Sequence, residues 1–243
     1  MKVLQKMQVK ANDNFNAEGV TIAFLGDSVT QGCFELYKKG ENQYETIFEK
    51  RNSYERYFFD ILSVIFPSVT VNIINAGISG DNATRGAVRV DNDVIRHAPD
   101  LTVVCYGLND CGFDDNSVRR YTKALETIFD KLSAAGSDII FMTPNMMNTK
   151  ISPHLTDANF ISVAEECAKK QNDGFFDAHI DAAHELCKSK GIPICDCYSL
   201  WKALYSGGVD TTELLINKIN HPTPDMNKLF AYELVRTIFK ESV

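Results

Sequence analysis

The sequence has no basic run, no long apolar run and no paired set of cysteines, and each absence excludes a class of function. Lys and Arg total 25 against 32 Asp and Glu, for a formal net charge of −7. Nucleic acids and anionic membrane surfaces select for clustered cations, so neither is the expected partner, and a small or neutral one is. No stretch approaches the roughly 18 apolar residues that a spanning helix needs. The opening "MKVLQKMQVKANDNF" carries basic residues without an apolar core, unlike an export signal. The 7 cysteines are odd in number and dispersed, with "CDC" at 195–197 their one close pair. Neither a disulfide framework nor a CxxC metal or redox site follows, and a reducing cytoplasm is the expected compartment.

Internal repeats, low-complexity tracts and linkers are also missing. With 44% hydrophobic and 23% charged residues, the 243-residue chain is expected to form one domain, 1–243, in which 1–18 is an N-terminal extension. Four short β-branched runs recur, "VTIAFLGDS", "VTVNIINAG", "LTVVCYGLND" and "DIIFMTP", and a weaker fifth is "IPICDCY". Apolar on both faces, they read as buried parallel strands.

Helical spacing separates them. From about Ser117 to Ala135, residues Tyr121, Ala124, Leu125, Ile128, Phe129 and Leu132 recur three and four apart, with Ser117 as N-cap and Gly136 as the stop. A second stripe holds Tyr54, Tyr57, Phe58, Ile61, Leu62 and Ile65 before Pro67. The alternation of strand and helix predicts a mostly parallel five-stranded sheet with helices on both faces. Two long stretches, 33–52 and 145–172, read as irregular loops beside the site.

In such sheets ligands bind beyond the carboxyl ends of the strands, so the polar residues there carry the functional reading. Ser28 ends the first run in "GDSVTQG", where Gly26 permits a tight turn; the motif is not a G-x-S-x-G elbow, because Thr30 stands two residues on. Gly80, in "NAGISGDNATRG", can bring a backbone N–H close to a reacting oxygen, and Asn109, in "YGLND", can donate an amide N–H to it. His221, in "NKINHPTPDMNKLFAYELV", precedes a helix that opens with Thr223 as N-cap and Pro224 at its first position. Taken alone, each of these four reads first as a turn, cap or surface residue. Together, at neighbouring strand ends, a serine, a base and two oxyanion donors are the parts of acyl transfer through a covalent intermediate.

These blocks resemble the SGNH hydrolases, the GDSL esterase and lipase family. "GDSVTQG" is similar to the family's first block, "NAGISGDNATRG" to the second, "GLND" to the third and "NHP" to the last, so the likeness covers nearly the whole chain. The resemblance implies a flavodoxin-like three-layer α/β/α sandwich and ester hydrolysis without metal or organic cofactor. It implies Ser28 as nucleophile, His221 as base, and an oxyanion hole made by Gly80, Asn109 and the Ser28 N–H. It also implies a short acyl group, such as acetyl, on a carbohydrate or small molecule; a lysophospholipid or thioester is the alternative.

One position departs from the family pattern. The family places an aspartate three residues before the histidine, where this chain has Lys218, and a cation cannot accept the imidazole N–H. The replacement is expected to be a backbone carbonyl of the 216–220 loop, with Asp196 next and Asp210 or Asp225 after it. A non-catalytic sugar binder, or a flavin mononucleotide binder cradling phosphate in "GDSVTQG", are the readings of another class. His179, Asp181, His184 and Cys187 share a helix, but histidines five apart lie on different faces, so no metal is expected. Cys111 reads as an inert thiol, and Tyr37, Tyr44, Phe48, Met146, Met147 and His154 as pocket-lining or locally packed loop residues.

Overall fold

The computed structural model describes residues 1–41 and 43–240. In chain order its strands are β1 (Val20–Gly26), β2 (Cys33–Gly40), β3 (Gln43–Phe48), β4 (Val71–Gly77), β5 (Leu101–Cys105), β6 (Asp138–Met142) and β7 (Ile194–Cys195). Its α-helices are α1 (Lys2–Asn12), α2 (Ser28–Gln31), α3 (Tyr54–Ile65), α4 (Ala83–Asp93), α5 (Asp115–Ala134), α6 (Ala158–Asn172), α7 (Phe175–Lys190), α8 (Cys197–Ser206) and α9 (Pro224–Lys240). Five strands form one parallel sheet in the order β4-β1-β5-β6-β7, the flavodoxin-like order, with the topological switch between β1 and β5.

Strand alternation splits the core into two layers. Ile22, Phe24, Val103 and Ile140 face α1, α3 and α9, whereas Ala23, Leu25, Val104 and Phe141 face α4, α5 and α7. Both faces of β1 and β5 are covered, which is why their runs read as apolar throughout, whereas the edge strand β4 leaves Asn72 exposed. Phe24 meets the rings of Tyr54 and Phe58 edge-on at 5.7 and 5.8 Å, so the stripe of α3 seats directly on β1.

Several expectations are corrected. The 33–52 stretch is an antiparallel hairpin of β2 and β3, set apart from the main sheet. The second half of 145–172 is α6, whose buried stripe is only Ala164, Cys167 and Gln171, too thin to show as an apolar period. Helix α5 is capped by Asp114, whose Oδ1 accepts the Ser117 N–H at 2.8 Å, so Ser117 sits inside the first turn. A carboxylate at that place also complements the helix dipole. The fifth strand shrinks to Ile194–Cys195.

The first residues are no loose extension. Helix α1 buries Val3, Leu4 and Met7 in the main core, and the Val3 N–H donates to Asp138 Oδ2 at 2.9 Å. All 7 cysteines are free and buried. Among the described residues no helix is long and apolar enough to cross a membrane.

Because Met7 is buried among core side chains, Met7→Ala is expected to lower stability by about 2 to 5 kcal/mol in urea unfolding. A change within about 0.5 kcal/mol, the range of ordinary surface substitutions, would show that α1 is dispensable to the core.

Candidate active site

Ser28 opens α2 directly beyond the carboxyl end of β1. Asp27 caps that turn, its Oδ1 accepting the Val29 N–H at 3.0 Å. Gly26 is required by close approach: a Cβ there would lie 2.7 Å from the Cys105 carbonyl oxygen and would run into the Thr30 side chain. The result is a serine hydroxyl held at the sheet edge with only 6% of the residue exposed.

His221 meets it from the far end of the chain. Its Nε2 lies 2.9 Å from Ser28 Oγ, and its Nδ1 lies 3.0 Å from the carbonyl oxygen of Phe34 on β2. A carbonyl only accepts, so Nδ1 carries the proton and Nε2 is left to accept from the serine. The ring is 4% exposed, and burial pulls its pKa from 6.5 down to about 4, against a smaller upward pull from the Phe34 bond. The imidazole is therefore neutral at pH 7 and competent as a base.

The loop that carries it is pinned by one side chain. Asn217 Oδ1 accepts the backbone N–H groups of Ile219, Asn220 and His221 at 3.0, 2.9 and 2.9 Å. That wrap puts Lys218 in the left-handed region at φ +59, and its ammonium turns away to Glu213 Oε2 at 2.9 Å. Asn145 Nδ2 braces the same loop by donating to the Asn220 carbonyl at 2.8 Å.

Gly80 sits in the turn after β4 at φ +74, a conformation that only glycine adopts without strain. Asn109, in the turn after β5, donates Nδ2 to the Asp81 carbonyl at 2.8 Å, which ties the two turns together. Beneath them, Arg89 reaches Asp81 Oδ2 with Nε at 2.8 Å, the Gly26 carbonyl with Nη2 at 3.0 Å and the Ala76 carbonyl with Nη1 at 2.7 Å. Tyr106 adds its hydroxyl to Asp81 Oδ2 at 2.9 Å. The ends of β1, β4 and β5 are thereby fastened at one buried ion pair. Burial pushes the carboxyls of Asp27 and Asp110, also under the site, up to about 7.

Thus Ser28 and His221 are joined directly, and Gly80 and Asn109 flank the same sheet edge. The structure does not bring Asp196 to the imidazole. It caps α8, accepting the Ser199 N–H at 3.1 Å and the Thr143 hydroxyl at 3.1 Å. Asp210 pairs with Lys150 and Asp225 with Lys228. The carbonyl that replaces the missing acid comes from the hairpin, not from the 216–220 loop. Its position 187 residues away gives no sequence signal, because any residue supplies a carbonyl. Asn217 had a readable one: an asparagine preceding a turn bonds the backbone ahead of it.

Other candidates settle elsewhere. Met146 and Met147 are core residues, and burial raises the Cys111 thiol to about 12. Tyr37 and His154 line a cavity of about 400 Å³ with Leu36, Phe160, Asn217 and Lys218. His179 bonds the Phe175 carbonyl through Nδ1 at 2.7 Å, and among the described residues no group of three or more His, Cys, Asp or Glu is placed to hold a metal.

Comparison with known proteins gives the same outline. The profile of the GDSL-like lipase/acylhydrolase family matches residues 24–229. An acetylxylan esterase from Geobacillus stearothermophilus is 29% identical over 92 residues, which is 38% of this chain and 40% of that protein, so the match spans about two-fifths of that relative. A crystal structure of an acetylxylan esterase from Geobacillus stearothermophilus superposes with a TM-score of 0.67 at 18% identity, covering 91% of this chain and 94% of the other. A two-domain esterase active on acetylated mannans superposes at 0.66 with 18% identity, covering 98% of this chain and 52% of that one. At these identities the structural likeness establishes the fold.

Asn217→Ala is expected to slow labelling of Ser28 by a fluorophosphonate about tenfold or more, since unpairing the loop N–H groups costs on the order of 1 to 3 kcal/mol. Asn217→Asp keeps the acceptor and should retain most of the rate. Equal rates in wild type and the alanine variant would show that the loop holds its shape without this side chain.

Proposed function

The chain belongs to the GDSL-like lipase/acylhydrolase family, and on that footing we propose that it is a serine esterase that removes acetyl groups from carbohydrate. The observation that carries the reading is the 2.9 Å contact between Ser28 Oγ and the His221 Nε2, in a ring whose other nitrogen is held by Phe34. The likeness to the acetylxylan esterase and to the esterase active on acetylated mannans supports acetyl as the acyl group and a sugar as the alcohol.

In the mechanism, Ser28 Oγ attacks the ester carbonyl carbon while His221 Nε2 takes its proton. The carbonyl oxygen becomes an oxyanion facing the Ser28 and Gly80 N–H groups and the Asn109 amide. The tetrahedral intermediate collapses, the C–O bond to the sugar breaks, and His221 returns the proton to the departing alkoxide. Water then attacks the acyl-enzyme, again deprotonated by His221, which releases acetate and restores Ser28. Neither N–H is spent elsewhere: Ser28 is first in its helix, where no intrahelical carbonyl is available, and the Gly80 N–H makes no bond among the described residues.

A carbonyl supporting the histidine changes the electrostatics of the reaction. It fixes the tautomer as a carboxylate does, but brings no formal charge to stabilise the imidazolium. Transition-state stabilisation then rests more heavily on the oxyanion donors.

The test is turnover of p-nitrophenyl acetate and of acetylated xylooligosaccharides, with fluorophosphonate labelling of wild type and Ser28→Ala. Wild type is expected to label and turn over, and Ser28→Ala to do neither; Asn109→Ala is expected to lose about two to three orders of magnitude in kcat. An unlabelled, inactive wild type would instead favour a sugar-binding protein. A second expectation concerns pH. His221 works only when neutral and its pKa lies at about 4, so kcat/KM should hold from neutrality down to about pH 4 and fall below it. The same shift means the unfolded chain takes up this proton first, so the stability His221 contributes is lost as pH falls from about 6.5 to about 4. An acid limb at about 6.5 would show that the ring is solvated in the working enzyme.

A further inference from the structure

Outside the catalytic residues, a cavity of about 550 Å³ lies between α4 and α5, lined by Thr84 and Ala87 from α4 and by Asn116, Arg119, Arg120, Lys123, Ala124 and Thr127 from α5. Its floor is small, Ala87 and Ala124, and its rim is polar. Among the described residues neither guanidinium makes a hydrogen bond or ion pair, and the Thr84 hydroxyl and Asn116 side chain are also unpartnered. Lys123 alone has an acidic partner, Glu126 at 2.9 Å, and Glu126 is shared with Lys190. Arg119 and Lys123 are four residues apart and Arg120 and Lys123 three, so like charges stand on adjoining positions, and of the three only Lys123 is paired with an acid. In a chain of net charge −7 this is a local reversal of sign.

The cavity is also placed with respect to the reaction. Thr84 lies in the first turn of α4, which follows Gly80, and Asn116 in the first turn of α5, which follows Asn109. Arg85, next to Thr84, reaches the Gly80 carbonyl at 3.5 Å, and the Ala83 N–H donates to Asp110 Oδ1 at 2.9 Å. Thr84 and Asn116 therefore stand at the ends of α4 and α5 that adjoin the turns of Gly80 and Asn109. Of the acids nearby, Asp114 is occupied in capping α5, Asp81 is paired with Arg89, and Asp115 is exposed in the first turn of α5.

We propose that this cavity binds a carboxylate on the substrate, so that the preferred substrate is an acetylated oligosaccharide carrying a uronic acid substituent. The inference rests on the esterase reading for its link to catalysis. Two free guanidinium forks suit a planar carboxylate, which each can hold by paired N–H bonds, and the free hydroxyl and amide suit sugar hydroxyls. A cavity of this volume is of the size that takes a small ligand group rather than a protein surface. The overall acidity of the chain keeps out extended polyanions while the local field selects a single carboxylate.

The experiment compares wild type with the double variant Arg119→Ala, Arg120→Ala on three substrates: p-nitrophenyl acetate, a neutral acetylated xylooligosaccharide, and the same oligosaccharide bearing one glucuronic acid. For the double variant KM should rise on the order of tenfold on the acidic substrate alone, with kcat and the other two substrates unchanged within about twofold. In wild type the preference for the acidic substrate should shrink as salt rises from about 20 to 200 mM. Equal KM changes on neutral and acidic substrates, or none, would overturn the proposal. So would equally tight binding of a single-stranded oligonucleotide, which would make the cavity a general polyanion site. Should wild type fail to cleave any ester, calorimetric binding of the deacetylated glucuronic acid oligosaccharide still decides the cavity: binding lost in the double variant upholds it, and no binding by wild type removes it.

Discussion

The bond from the His221 ring to the Phe34 carbonyl is the contact that holds the candidate site together. It links three distant parts of the chain: the serine after β1, the hairpin inserted behind it, and the loop before the last helix. The hairpin is thus more than a surface decoration, since its first strand supplies the acceptor that sets the imidazole tautomer. Because the ring is buried and its partner neutral, the imidazole is kept uncharged well below neutral pH.

That bond requires fixed geometry on both sides. On the serine side, the short turn of α2 packs against β4 at Gly77, and Gly26 tolerates no side chain between Thr30 and the Cys105 carbonyl. On the histidine side, Asn217 replaces with one amide oxygen the three backbone partners that the tight loop cannot provide internally. Under both, Arg89 and Asp81 join the ends of β1 and β4, and Tyr106 adds the end of β5. Removing Arg89 would leave the Asp81 carboxylate buried without its counter-charge, which makes the platform costly to alter, whereas Arg89 also holds Asp93 Oδ2 at 3.0 Å. The same α4 and α5 that bury this pair present, on their outer side, a cationic rim in which Arg119 and Arg120 have no acidic partner among the described residues. Net charge alone hides that contrast, since it averages over the surface.

Much of this was legible from residue order. Parallel strands buried on both faces leave a strong mark, and β1, β4, β5 and β6 stand where their apolar runs end. The stripes of α3 and α5 were visible because each packs a wide apolar face. Helix α6 was not, since its exposed positions outweigh a stripe of Ala164, Cys167 and Gln171. The hairpin was hidden for a related reason: Tyr37, Tyr44 and Phe48 stay exposed on a two-stranded ribbon, so no alternation of buried and solvated residues marks it.

Residue order alone carries the strand and helix alternation, the sheet edge that collects Ser28, Gly80, Asn109 and His221, and the absence of an acid at position 218. Those follow from local spacing and side-chain chemistry, which residue order records directly. Only the tertiary structure decided what takes the acid's place. Asp196 was a chemically sound candidate, but α8 claims its carboxylate as a cap, while Phe34 was no candidate at all. A backbone carbonyl is common to every residue, so its role is set by where the folded chain places it.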